Sequence, residues 1–215
     1  MITNEAYANL DEFIAAQKKK LAQNPDCGVS HFNLGVALLS QGDWREAEVE
    51  FREAISNSPS LVEAYVQLGG IAMHRGDLEG CLNYNTLASQ VRPTFAVPYG
   101  NIGFVHMQRG EAVEAVKALE KAIKYDPKFV QALATLGSAY LALDDPDLCI
   151  QVCEKAVAIE SNFGPAWNQL GIAWLQKKDY AKAVDCIDKA AASGLEVHPE
   201  LRKEIEEHRA RIQAG

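Results

Sequence analysis

Residues 164–197 read GPAWNQLGIAWLQKKDYAKAVDCIDKAAASGLEV. Trp167, Leu170 and Trp174 recur at steps of three and four, the spacing of one helix face. A turn follows, and Ala183 and Ala190 then carry a second helical pattern. Working outward in steps of 34, Gly171 is preceded by Gly137, Gly103, Gly69 and Gly35, and Ala190 by Ala156, Ala122, Ala88 and Ala54. Pro25, Pro59, Pro93 and Pro127 keep the same step, and Ser161 takes the next slot. Glycine supplies 15 of the 215 residues, so four further glycines would fall in register by chance about a few times in 100,000. The period is therefore a true internal repeat. It divides the chain into five units, 28–61, 62–95, 96–129, 130–163 and 164–197.

Each unit reads as two helices. In the opening unit His31, Leu34 and Leu38 mark the first, and Trp44, Ala47, Phe51, Ala54 and Ile55 the second. Between them stand Gly42-Asp43, Gly76-Asp77 and Gly110-Glu111, where the acidic side chain can cap the next helix or favour its positive end. Asp145-Pro146 takes that place in the fourth unit, with proline at the first helical position. Proline near the end of the second helix stops it. Glycine at position 8 of the unit, Ala or Cys at position 20 and alanine at position 27 let neighbouring helices approach closely. One such hairpin cannot bury its own apolar face, but a stack of them makes a continuous core.

Lys and Arg number 21 and Asp and Glu 29, a formal charge of −8, with 48% hydrophobic residues. These are the proportions of a soluble globular chain of one or two domains. The acidic balance argues against non-specific nucleic-acid binding, which needs cations to displace phosphate counterions, and against docking on an anionic membrane. No apolar run approaches the ~18–20 residues of a spanning helix. The first residues lack the basic start and apolar stretch of a secretory signal, which makes a cytoplasmic location the expectation. The five cysteines fit no paired zinc spacing and read as reduced thiols. No nucleophile elbow, phosphate loop, kinase motif or HExxH is present, so the chain reads as a non-enzyme with no metal and no cofactor.

The columns resemble the tetratricopeptide repeat family and its W-x2-L-G-x2-Y…A-x3-F…A…P pattern. The fifth unit matches it with Trp167, Leu170, Gly171, Trp174, Ala183 and Ala190, the first with Leu34, Gly35, Ala47, Phe51, Ala54 and Pro59. The resemblance covers about four fifths of the chain. It implies an all-α, right-handed superhelical solenoid of five helix-turn-helix repeats over 28–197, with a capping helix in 1–27 and another in 198–215. The N-terminal helix is expected over 3–22, with Tyr7, Leu10, Phe13, Ile14 and Leu21 on one side. The C-terminal one opens at Pro199 and carries a thin stripe of Leu201, Ile205 and Ile212.

In proteins of this family the first helices line a concave groove, with positions 2, 5, 6, 9, 12 and 13 generally facing it. Carried over by column, position 5 gives Phe32, Val66, Gly100, Ala134 and Asn168. Position 9 gives Val36, Gly70, Phe104, Ser138 and Ile172, and position 12 gives Leu39, Met73, Met107, Leu141 and Leu175. Position 6 is a ladder of Asn33, Gln67, Asn101, Thr135 and Gln169, and His74 falls on position 13. Lys and Arg are absent from positions 5 and 9, which departs from the basic clamp by which some members hold a free carboxylate. The implied site is apolar and amide-lined: Phe32, Asn33, Val36, Val66, Gln67, Met73, His74, Asn101, Phe104, Met107, Ser138, Asn168 and Ile172. Such a groove suits an apolar peptide or an amphipathic helix of a protein partner, as in an adaptor, assembly factor or co-chaperone. The alternative is a structural scaffold in which one copy's groove receives the N-terminal helix of the next, giving head-to-tail oligomers.

Four features remain beside this reading. Cys149 and Cys153 stand one helical turn apart. Both occupy inward columns and read as core, with a redox or metal role as the competing reading. His31 and His106 fall where the family places aromatics and read as core. Unit two has Gly69, Gly70 and Gly80 inside its helices and Asn85 in an apolar column, and unit three adds Gly100: tolerated drift, sites where a ligand or neighbouring backbone comes close, or a soft joint in unit two. Lys117, Lys121, Lys124 and Lys128 put a basic ridge on the second helix of unit three.

Overall fold

The computed structural model describes residues 9–214. Among these residues there are twelve α-helices and no strand. They are α1 (Leu10–Gln23), α2 (Gly28–Gln41), α3 (Trp44–Asn57), α4 (Val62–His74), α5 (Leu78–Val91), α6 (Ala96–Gln108), α7 (Ala112–Tyr125), α8 (Val130–Ala142), α9 (Pro146–Ile159), α10 (Gly164–Gln176), α11 (Tyr180–Ala192) and α12 (Pro199–Ala214). The chain forms two compact units, Met1–Pro98 and Tyr99–Gly215.

The turn inside each hairpin has one local cause. One residue past the first helix at Gly42, and two past it at Gly76, Gly110, Asp144 and Lys178, the backbone adopts the left-handed conformation, with φ of 87°, 75°, 74°, 60° and 62°. The next amide then reaches back to close the helix end, as in Asp43 N–H to Leu38 O at 2.9 Å and Asp179 N–H to Trp174 O at 3.0 Å. The following helix starts at once. Asp77, Asp145 and Asp179 accept from Gly80, Leu148 and Lys182 amides, while Asp43 and Glu111 make no such side-chain bond. The prolines stand two residues past the ends of α1, α3, α5 and α7.

Hairpin closure depends on the glycine column. A Cβ at Gly35 would stand 2.8 Å from the Phe51 ring. Equivalent contacts meet Asn85 at Gly69, Leu119 at Gly103, Cys153 at Gly137 and Ile187 at Gly171. The position-24 side chain thus presses onto bare backbone in every hairpin, whatever its own chemistry. The alanine columns are equally crowded, with Ala47, Ala54, Ala88, Ala115, Ala122, Ala156, Ala183 and Ala190 all fully buried.

In the first unit, Phe13 and Ile14 of α1 join Leu34, Leu38, Phe51, Leu68 and Ile71 in one core. α1 begins at Leu10 because Asn9 caps it, its side-chain oxygen accepting from the Glu12 amide at 2.9 Å. Residues 3–8 of the expected N-terminal helix, Tyr7 among them, lie outside the described residues. Glu48 breaks the apolar pattern of α3. It is almost fully buried and is held by Arg52 at 2.5 Å and by Arg75 at 2.6 and 3.0 Å, the multiple pairing that a buried carboxylate requires.

In the second unit, Leu119, Leu133, Leu136, Ile150, Val152 and Leu170 form the main core. Ile187, Val197 and Ile205 continue it toward α12, with Leu201 partly buried beside them. Of the expected α12 stripe, Ile205 is buried and Ile212 is 49% exposed. The His208 ring stacks on Tyr180 at 3.8 Å, and Arg209 bonds both oxygens of Asp188, so α12 is tied to α11 by packing and charge together.

Candidate peptide-binding faces

The first helices of the hairpins leave part of their surface uncovered, and the sequence-predicted residues lie there in different states. In the first unit Phe32, Asn33 and Val36 of α2 and Val66, Gln67 and Met73 of α4 are all half-buried. Phe32 is largely spent on the core: its ring sits 5.7 Å from that of Phe51, and Val36 and Leu39 pack on the same cluster. Asn33 and Gln67 differ from these. Their amides make no hydrogen bond to any described residue. His74 is exposed, but its ring is stacked on Trp44, with centroids 3.9 Å apart and planes 9° from parallel. That stack joins α4 to the start of α3 and was not visible in the columns.

In the second unit Phe104 of α6 is 42% exposed, while Met107 packs against the core. Asn101 is half-buried. The polar side chains of these first helices divide by chemistry. Ser138 donates to Ala134 O at 3.3 Å and Thr135 to Gln131 O at 2.8 Å, so both hydroxyls are turned back on their own helix. Asn168 keeps its amide unspent among the described residues. Asn168 and Ile172 open onto a cleft of about 480 Å³ whose other wall is Leu195, Glu196, His198, Glu200, Leu201 and Glu204. Column reasoning missed those six because Leu195 and Glu196 stand past the second helix of the fifth unit and the other four lie beyond the repeat. The available signal was Glu200 and Glu204 one turn apart beside Leu201.

Other expectations resolve plainly. Cys149 and Cys153 are fully buried with sulfurs 4.0 Å apart. Their hydrogen bonding and burial push the Cys153 thiol far above its ordinary value. His31 and His106 are more than filler: His31 bridges Glu50 and Pro25 O, each at 2.7 Å, and His106 pairs with Glu111 at 2.6 Å. Gly69, Gly80 and Gly100 receive Asn85, Asp77 and Phe129 respectively, whereas a Cβ at Gly70 would meet nothing. In the basic ridge, Lys117 pairs with Glu114, and Lys121 lies 5.7 Å from the Tyr99 ring centroid. Among the described residues no group of three His, Cys, Asp or Glu could hold a metal ion, and no helix is long and apolar enough to cross a membrane.

Tetratricopeptide repeat family models match residues 29–61 and 130–163, and a further TPR repeat model matches 103–144. No curated protein matches the chain by sequence. Among solved structures, MamA is 24% identical with a TM-score of 0.65, over 75% of this chain and 94% of that one. YrrB, described as a TPR protein with an unusual peptide-binding site, is 15% identical with a TM-score of 0.72, over 90% and 99%. The APC/C hetero-tetramer Cut9–Hcn1 gives 18% and 0.76, over 94% of this chain and 40% of that one. Repeat matches, hairpin packing and structural likeness agree: the chain is a tetratricopeptide-repeat protein, an all-α solenoid whose fold is that of a protein–protein interaction adaptor.

Proposed function

We propose that this chain is a cytoplasmic, non-catalytic adaptor or assembly factor whose first-helix faces hold an apolar peptide or amphipathic helix of a partner protein. Residues 28–197 carry the binding faces and the end segments, 1–27 and 198–215, cap them. The observation that carries the reading is the unspent amides of Asn33, Gln67 and Asn168. A half-buried amide with no internal partner is a ready donor and acceptor for a guest backbone. The exposed ring of Phe104 adds an apolar anchor in the second unit. A peptide-binding site in YrrB, which shares the fold, is consistent with this use. The acidic net charge favours a protein partner over nucleic acid.

The test is capture of a partner by the intact chain and by a Gln67→Ala/Phe104→Ala variant. Both side chains leave the core untouched, so the variant should melt with the parent. A discrete partner retained by the parent and lost by the variant supports the reading. Equal retention sinks it. Light scattering at two concentrations on the same samples reads the competing arrangement, since head-to-tail assembly would raise the mass with concentration.

A further inference from the structure

The cleft between α10 and α12 combines two features that occur together nowhere among the columns of the repeat. Its floor is apolar: Ile172 of α10, Leu195 of the connecting loop and Leu201 of α12, all half-buried. Its rim is anionic: Glu196, Glu200 and Glu204, all exposed. No Lys or Arg lines it. Glu196 and Glu200 make no ion pair with any described residue, and Glu204 has only the His208 ring at 4.0 Å. Of the cations on the same helix, Arg209 is engaged by Asp188 and Glu206, and Arg202 and Lys203 line a neighbouring hollow with Glu196, Val197 and Pro199, not the cleft itself. Three carboxylates are therefore gathered around half-buried apolar surface, and none of them is in an ion pair with a Lys or Arg among the described residues.

Like charges so placed repel, and a partner that brings cations relieves the repulsion while gaining steering and orientation. The carboxylates do not converge on a metal-binding point, so the matching cations must be spread along a chain. Glu200 and Glu204 are separated by one helical turn, about 6 Å of rise, which fits Lys or Arg at i and i+4 of a helix. The apolar floor asks for a Leu, Ile or Met between them. We propose that this cleft docks a basic amphipathic segment of a partner protein, its cations on Glu196, Glu200 and Glu204 and its apolar residue on Ile172, Leu195 and Leu201. The proposal rests on the peptide-binding reading above and narrows it to one site and one sign of charge.

The experiment uses the full chain and three labelled helical peptides of about 18 residues sharing one leucine stripe. One carries Lys at i and i+4, one Glu at the same places, one Gln. Anisotropy is read at low and high salt against the parent, Glu200→Lys/Glu204→Lys, Ile172→Ser and a remote control, Glu53→Lys/Glu160→Lys, which changes net charge equally. All four altered glutamates are exposed, and thermal melts of each variant confirm that it is folded. The proposal expects the Lys peptide to bind the parent and the control alike, and to weaken by about tenfold or more on the cleft reversal and on Ile172→Ser. The Glu peptide should gain on the cleft reversal. Equal loss on the cleft reversal and the remote control would mean bulk charge attraction and overturn it. If the Gln peptide binds as tightly as the Lys peptide and only Ile172→Ser weakens it, the charge assignment falls while peptide binding stands. If none of the three binds the parent, the cleft is not the site, and partner capture with the Gln67→Ala/Phe104→Ala variant separately decides the broader reading.

Discussion

The ring of Phe51 lies against the bare backbone of Gly35, so close that a Cβ there would come within 2.8 Å of it. Phe51 is fully buried and cannot retreat without disturbing the core. Gly35→Ala should therefore destabilise the chain by about 1–3 kcal/mol through overpacking, and Phe51→Ala by about 3–5 kcal/mol through a cavity. Because the two residues share one space, Gly35→Ala/Phe51→Ala should lose less than the sum of the single changes. Urea melts of the three variants measure this. An additive result would show that the contact is not limiting.

Lys178 and Asp144 occupy the turn position that Gly42, Gly76 and Gly110 fill in the other hairpins, and all five share a left-handed backbone. A side chain there carries about 1–2 kcal/mol of strain, more than the added backbone entropy of glycine. Lys178→Gly should stabilise by about 0.5–1 kcal/mol. Gly70→Ala should stabilise by a similar amount for the opposite reason: it lies inside α4, and its Cβ would meet nothing. A fall in melting temperature for either would refute the assignment.

Stability should depend on pH through His31. Burial of the ring works against its charge, but Glu50 and the Pro25 carbonyl outweigh it and raise the imidazole above its ordinary value. Both ring nitrogens face acceptors, which only the doubly protonated ring satisfies. A folded value above the unfolded one means that the contribution is complete below about 6.5, the unfolded value. It is lost as pH rises through the folded value. Melts of the parent should drop across that window, and His31→Gln should flatten the drop. An unchanged slope in the variant would assign the dependence elsewhere.

The thiols should separate by place. Cys27 is half-buried at the start of α2, and hydrogen bonding from Ser30 lowers its pKa. Cys81, Cys149, Cys153 and Cys186 are buried, and burial raises Cys186 to about 11. Native labelling followed by mass spectrometry should modify Cys27 first and the other four only on unfolding. Early modification of Cys149 or Cys153 would instead support their redox reading.

Removing Phe32 and Phe104 should have unlike effects. Phe32→Ala should cost stability, because its ring packs on Phe51. Phe104→Ala should leave the melt within about 0.5 kcal/mol of the parent, since that ring is 42% exposed. Equal losses would mean that Phe104 is covered in solution.

The repeat and the helix pairs are legible in the residues alone. The period and the small-residue columns report a constraint every hairpin must meet: side chain 24 must fit against position 8. The hairpin turns were legible for the same reason, since glycine marks a left-handed residue, although Asp144 and Lys178 show that the stack imposes that conformation without glycine. What each exposed column is used for follows from packing between helices instead. Phe32 and Phe104 are the same residue type, each on the first helix of its own hairpin, yet one is absorbed by the neighbouring ring of Phe51 and the other stays open. His74 is claimed by Trp44, 30 residues away. The acidic cleft exists because α12 packs on α11 through Ile205, His208 and Arg209 and so sets Glu200 and Glu204 opposite Ile172. A period records what is common to all hairpins, whereas contacts made once, at the end of the stack or between unlike residues, leave no trace in it.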